Sequence, residues 1–225
     1  MTRSAAVCAA VAAELLLASA LSAQSLTPDP PGPYVVDLRA VTMGEPKDPV
    51  FFPPEPSGTL VPARGFGFDA GGHVYAGSLG RSRIGFGVSV VRVRGTATSS
   101  QATSTTSTRT PTTSPPAHRP DMVTTITAFA PQISLNFGTE NGWSYLGAGY
   151  GAAEILTSES GVSQPASRRA GWIPTVNVGA GARWFFSSRL GLGFDIRVYR
   201  ASGRSTGGGT PPATFTAASV GLSLR

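Results

Sequence analysis

Apolar and polar residues alternate one by one over long stretches of this chain, most clearly between 171 and 200. In the first arm Trp172, Pro174, Val176, Val178, Ala180, Ala182, Trp184 and Phe186 hold the even positions, with Thr175, Asn177, Gly179, Gly181 and Arg183 between them. After Ser187-Ser188-Arg189 the second arm sets Leu190, Leu192, Phe194, Ile196 and Val198 against Gly191, Gly193, Asp195, Arg197 and Tyr199. Successive side chains of a strand point to opposite faces, so each arm has one oily face and one polar or small face. The pattern predicts an antiparallel pair joined by a three-residue turn.

The same alternation returns at 34–44, 64–77, 81–98, 122–137, 143–157 and 213–225, which brings the number of predicted strands to eight. Between them, long connections near 45–63, 99–121, 158–170 and 201–212 take turns with short ones near 78–80, 138–142 and 187–189. The first long connection carries six prolines and is unsuited to a central strand; the second is a Ser/Thr/Pro tract without the apolar surface to order itself. Soluble strands run about 5–6 residues, whereas a tilted strand crosses a hydrocarbon layer in about 9–11. The predicted fold class is therefore all-β: an eight-stranded antiparallel up-and-down transmembrane β-barrel, with short turns in the periplasm and long loops outside. A soluble ligand-carrying barrel would turn the oily face inward. Strand length, loop alternation and the aromatic residues expected at the membrane interface, Phe137, Trp143, Tyr145, Trp172, Trp184 and Phe186, favour the membrane version.

Two strands leave a choice open. In 81–98, unbroken alternation sends Arg92 and Arg94 outward, which implies either a bulge near Val90 and Val91 or a strand end above the lipid. In 143–157 two phases are available. The favoured one turns Trp143, Tyr145 and the glycines outward and puts Tyr150 and Glu154 inside, because it seats Glu154 among arginines and two aromatics at the interface.

Composition agrees with a sheet: 28 glycines and 13% charged residues make a chain poor in helix formers. Past the first residues no apolar run reaches the roughly 18 that a transmembrane helix requires. Met1-Thr2-Arg3, the apolar run from Ser4 to Leu21, and Ser22-Ala23 read as a signal peptide over 1–23. Its cleavage would remove Cys8, the only cysteine, and with it any internal disulfide. A Pro-rich tail over 24–33 then leads into the barrel domain, 34–225. The formal charge of +6 rests mostly on arginine, which suits planar anions such as phosphates. Nucleic acid does not fit an exported barrel.

With these strands and Gly/aromatic stretches such as Tyr145-Leu-Gly-Ala-Gly-Tyr150-Gly in hand, the chain resembles the small eight-stranded outer-membrane barrels of bacteria, the OmpA-like and opacity-adhesin type. The resemblance covers nearly all of the expected mature chain. It implies insertion by the barrel-assembly machinery, an outer-membrane location and a structural or adhesion-like surface role, with no shared catalytic residues and no cofactor.

The interior of so small a barrel is just wide enough for its side chains to fill. Asp37, Arg39, Asp69, Arg83, Glu154, Arg183, Asp195 and Arg197 are expected to form a plug of paired charges there, a narrow channel being the alternative. Near the external rim, Arg92, Arg94, Arg168, Arg169, Arg200 and Arg204 are candidate contacts to lipopolysaccharide phosphates, or else ordinary solvated loop ends. A barrel enzyme acting on lipid needs a nucleophile and a base in hydrogen-bond reach. His73 has Asp69 and Tyr75 on its own face but no serine at a convincing spacing, and His118 falls in the Ser/Thr/Pro loop. Gly147, Gly149 and Gly151 lack the spacing and the following helix of a dinucleotide site. No metal site is expected. The sequence thus points to a non-enzymatic barrel contacting lipid, lipopolysaccharide and an external ligand that the sequence does not specify.

Overall fold

The computed structural model describes residues 32–53, 61–98, 121–139, 141–161, 163–203 and 209–225. The expected signal peptide, most of the Pro-rich tail and the core of the Ser/Thr/Pro loop lie outside these residues. The strands are β1 (Tyr34–Gly44), β2 (Arg64–Leu79), β3 (Ser82–Ala97), β4 (Asp121–Thr139), β5 (Gly142–Ser160), β6 (Ser167–Phe185), β7 (Leu190–Ala201) and β8 (Ala213–Leu224). Each pairs with the next, and β8 returns to β1, so they form one closed antiparallel barrel. Closure leaves no sheet edge over the span the strands share, while the outer end of β6, 167–173, is paired with β5 alone among the described residues.

The short connections and both ends of the barrel chain gather at one rim, here called the turn end; the long connections gather at the other, the loop end. Outward positions are apolar through the middle of the wall: Leu38 is 60% exposed, Phe66 68%, Tyr150 65%, Val178 58% and Val220 60%. Such a continuous oily wall is far larger than a monomer leaves in water, and it marks a surface made for lipid. Trp172, Trp184 and Phe186 point outward at its margins, and Phe137 is half-buried on the same face.

The open choice in β3 resolves toward a strand that continues past the oily wall. Pairing of Ala70 with Val90, Phe68 with Arg92 and Phe66 with Arg94 is unbroken, and the register shift lies instead between Tyr75 and Gly77. Val90 and Val91 are adjacent because both faces of the strand are apolar at that height: Val90 meets the outside and Val91 the interior.

The phase expected for β5 is the reverse of the one observed. Trp143 and Tyr145 are 2% exposed inside the barrel, with Gly147, Gly149 and Gly151 following them inward, while Leu146, Tyr150 and Glu154 face out. Trp143 and Tyr145 are therefore not interface aromatics, and Glu154 is not part of the interior. The physical reason is room. The Tyr145 ring crosses the lumen over Gly181, where a Cβ would overlap its hydroxyl, and the Trp143 ring stacks on Phe185 at 4.6 Å.

The expected 158–170 loop is mostly strand. β5 and β6 continue beyond the oily wall, with Glu159 N–H donating to the Ala166 carbonyl at 2.9 Å, so only 161–166 connect them. Gly171, at φ +68, makes a bulge where the register slips between Glu154 and Leu156. This left-handed position favours glycine, and the extra residue turns the following side chains to the opposite faces.

Candidate functional site

The inward side chains fill the lumen in three layers. At the turn end Val35, Tyr75, Trp143 and Phe185 form an aromatic floor, Tyr75 meeting Trp143 edge-on at 6.1 Å. The Arg225 guanidinium lies 4.4 Å from the Phe185 ring centre and closes this floor from below.

The middle layer is ionic. Arg183 reaches from β6 across the barrel to β1 and grips Asp37 with two bonds, Nε to Oδ1 at 3.0 Å and Nη2 to Oδ2 at 2.6 Å. Arg39 stands 2.8 Å from the same carboxylate and 3.3 Å from Asp69, and the Ser223 hydroxyl donates to Asp37 at 2.6 Å. Arg197 forks onto Asp195 at 3.2 and 3.0 Å and donates to the Asn177 side-chain oxygen at 2.6 Å. The Tyr145 hydroxyl donates to Asp195 at 2.8 Å, and the Arg183 guanidinium lies 4.1 Å above the Tyr145 ring. Tyr145 thus joins the two ion clusters into one network. Gln132 donates to Ser89, and Asn136 to Ser134, on the opposite wall.

Of the eight residues expected in the plug, Asp37, Arg39, Asp69, Arg183, Asp195 and Arg197 meet in this layer. Arg83 is half-buried nearer the turn end, its carbonyl accepting from Asn136 at 3.4 Å. Glu154 holds Arg169 on the outer wall at 2.7 and 3.0 Å. The bulge at Gly171 is what places Arg169 beside Glu154 on that face.

The third layer was not anticipated. Toward the loop end the lumen turns apolar, packed by Val41, Met43, Val91, Val93, Met122, Ile126, Ile155, Ile173 and Phe215. Phe51 and Phe52, 2% and 4% exposed, descend onto this layer from the β1–β2 connection and cap it. Their backbone forms one 3-10 turn, Pro49–Phe51, started by Asp48, whose carboxylate accepts from the Val50 N–H at 3.0 Å. A signal for this layer was present in the sequence: where β1, β3 and β4 rise toward the loops the alternation inverts, with Val41, Met43, Val91, Val93 and Ile126 on the inward face and Thr42, Arg92, Arg94, Thr125 and Thr127 on the outward one.

Beside the cap, Glu45 leaves the end of β1 and turns inward, 5% exposed, over Gly65 and Gly95. Removal from water pushes its carboxyl up to about 7, and the Thr124 hydroxyl facing it offsets this in part.

His73 is 7% exposed in the lumen, and neither ring nitrogen finds a hydrogen-bond partner among the described residues. Its neighbour Asp69 is engaged by Arg39 and by Ser219 at 3.5 Å. No nucleophile–base pair forms around it among the described residues. Among the described residues no cluster of His, Cys, Asp and Glu is arranged to hold a metal ion.

The external-rim arginines separate by strand. Arg92 and Arg94 point outward from β3, and Arg200 outward from β7; Arg168 is half-buried on the inward-facing side of the β6 extension. Arg204 lies outside the described residues.

The solved structure of Neisserial surface protein A aligns with 85% of this chain and 96% of its own, at a TM-score of 0.50 and 12% identity. The fold is that of the small outer-membrane β-barrels. Other similar structures of this barrel type are Ail, the attachment invasion locus protein of Yersinia pestis, and the outer membrane protease OmpT from Escherichia coli. Ail, solved in complex with the heparin analogue sucrose octasulfate, has TM-score 0.44, 10% identity, 85% of this chain and 95% of that one. For OmpT the values are 0.43, 12%, 72% and 64%. No family model and no curated protein matches the chain.

Proposed function

We propose that the protein is an integral outer-membrane barrel that acts through its outer wall and loops, in a structural or adhesion-like role, and not through its lumen. The observation that carries this reading is the continuous filling of the interior: aromatic floor, ion network and apolar layer under Phe51 and Phe52 follow one another from rim to rim. A channel needs a wetted path with sites weak enough to release an ion. Here each charge in the middle layer has a close counter-charge. A lumenal enzyme needs substrate to reach its base, and His73 is sealed beneath the ion network and the apolar layer. Insertion through the barrel-assembly machinery and contact with lipopolysaccharide belong to the same proposal.

The test is fractionation of cells, with gel mobility of heated and unheated samples, followed by planar-bilayer conductance of the purified protein. The reading expects recovery with outer membranes, a heat-dependent mobility change and an electrically silent bilayer. Recovery as a detergent-free soluble monomer, or steady unitary conductance, would overturn it.

A further inference from the structure

At the loop end a row of inward positions crosses three strands: Gly95 on β3, Thr124 on β4 and Thr157 on β5 face one another, and Arg168 on β6 follows, half-buried. Glu45 lays its carboxylate over the first of these, so close that a Cβ on Gly95 would collide with it. Glu45 is 5% exposed, and Thr124 and Thr157 are sealed completely. Neither carboxylate oxygen and neither hydroxyl closes a hydrogen bond among the described residues. Lys47, two positions along the chain, is exposed and does not pair with Glu45. A buried carboxylate without a counter-charge is costly, so this one asks for a cation.

What covers the row is detachable. The hydrogen bonds of the cap, from the N–H groups of Glu45, Val50, Phe51 and Phe52, all end within the β1–β2 connection, on Ala63, Asp48 and Pro49. Among the described residues none reaches the barrel wall. The cap is held by its two rings alone, seated in an aliphatic cup that includes Met43, Val93, Met122, Ile155 and Ile173.

We infer that the barrel mouth is a binding site for an aryl-alkyl primary ammonium, its head held by Glu45, Thr124 and Thr157 and its ring entering the cup in place of Phe51 or Phe52. A primary ammonium carries three N–H donors, and the carboxylate and two hydroxyls supply a matching set of acceptors. Neighbouring strands lie about 4.8 Å apart, so one nitrogen between Thr124 and Thr157 reaches both. A calcium ion takes about six to eight oxygens, more than one carboxylate and two hydroxyls present. A neutral aromatic would fill the cup and leave the carboxylate unpaired, and an anion would be repelled. The inference goes beyond the function proposed above, which needs no ligand at the mouth. The ion layer beneath stays shut, so the ligand is held there and not passed through.

The probe is 2-phenylethylammonium, titrated at pH 8 into the full-length barrel in lipid nanodiscs and followed by calorimetry. Separate arms use 2-phenylethanol, which lacks the charge, 3-phenylpropionate, which reverses it, and methylammonium, which lacks the ring. The parent should bind the arylammonium at least about tenfold more tightly than any of these, the scale of a charge-assisted bond. Glu45→Gln should abolish that preference while leaving the weak binding of 2-phenylethanol unchanged, and Thr157→Val should weaken the arylammonium alone. Phe51→Ala, which removes the competing ring, should bind it more tightly than the parent. Glu154→Gln, a carboxylate lost from the outer wall, should bind as the parent does. Equal affinity for the ammonium and the alcohol in the parent would overturn the inference, as would undiminished arylammonium binding by Glu45→Gln, or no binding by either the parent or Phe51→Ala. Heat-dependent gel mobility reports the folding of each variant, and the comparison of probes on the parent stands without any substitution.

Discussion

Replacing Arg183 with methionine removes the side chain that ties three parts of the lumen together: Asp37 on β1, Tyr145 on β5 and the aromatic floor below. Arg183 is 1% exposed and makes two bonds to Asp37. Deleting one member of a buried ion pair costs about 3–5 kcal/mol, mainly because the other charge is left uncompensated. Asp37 retains Arg39 at 2.8 Å and the Ser223 hydroxyl at 2.6 Å, so the lower part of that range, about 3 kcal/mol, applies. In Asp37→Asn/Arg183→Met the stranded charge is gone, and the double loss should fall short of the sum of the single losses by about 1–3 kcal/mol. Chaotrope unfolding in lipid vesicles measures this, with the emission of Trp143, packed on Phe185 at 4.6 Å, as a lumenal reporter. Additive single losses, or an Arg183→Met barrel as stable as the parent, would refute the network as a stabilising unit.

Other consequences follow from the cap and the outer wall. Glu45 holds its proton to about 7 against an ordinary 4.5, and at about 1.4 kcal/mol per pH unit the closed cap loses about 3 kcal/mol as pH rises from the lower value to the higher. The sign follows from the unfolded or open loop ionising first. Trypsin cleavage at Lys47, normalised at each pH to an unstructured reference peptide in the same reaction, should therefore be faster at pH 8 than at pH 5, and Glu45→Gln should remove the normalised difference; equal normalised rates for the parent at both values would contradict the buried carboxyl. Phe51→Ala and Phe52→Ala should each cost about 3–5 kcal/mol by leaving a cavity over the apolar layer, measured by hydrogen exchange at 45–53, while the bilayer stays silent because the ion layer is intact. Glu154→Gln should leave chaotrope stability unchanged, since the Arg169 it holds is exposed on the outer wall; a loss as large as that of Arg183→Met would return Glu154 to the interior.

The strand number, the alternation of long and short connections and the outward face of most strands were legible because period two survives wherever one face is oily and the other polar, as from Trp172 to Phe186. Reading failed where that contrast vanishes. In β5 the glycines at 147, 149 and 151 offer neither polarity nor bulk, and charge matching for Glu154 argued for a phase that lumen volume forbids. Steric complementarity decides there: only small inward residues leave space for Arg197 and for the Tyr145 ring above Gly181. The apolar third layer stayed hidden for the opposite reason. Its inward residues Val41, Met43, Val91 and Ile126 alternate with the outward Thr42, Arg92, Thr125 and Thr127, so the contrast persists but changes sides where the lumen is dry, and a rule that turns every oily face to lipid misses it. The cap escaped because Phe51 and Phe52 sit in a proline-rich segment whose docking depends on contacts far away in sequence, against β5 and β6. For the rim arginines, sequence gave the outward direction of Arg92 and Arg94; their place beside Phe68 and Phe66 depends on strand register.

The account's central claim is that lipid touches the alternating face bearing Trp172 and Trp184 while Trp143 is enclosed. Three single-tryptophan variants, each keeping one of these residues and replacing the others with phenylalanine, reconstituted in vesicles with brominated acyl chains, measure this directly. Emission from Trp172 and Trp184 should be strongly quenched and emission from Trp143 left near its value in unbrominated lipid. Quenching of Trp143 with Trp172 and Trp184 spared would turn the barrel inside out and contradict the account.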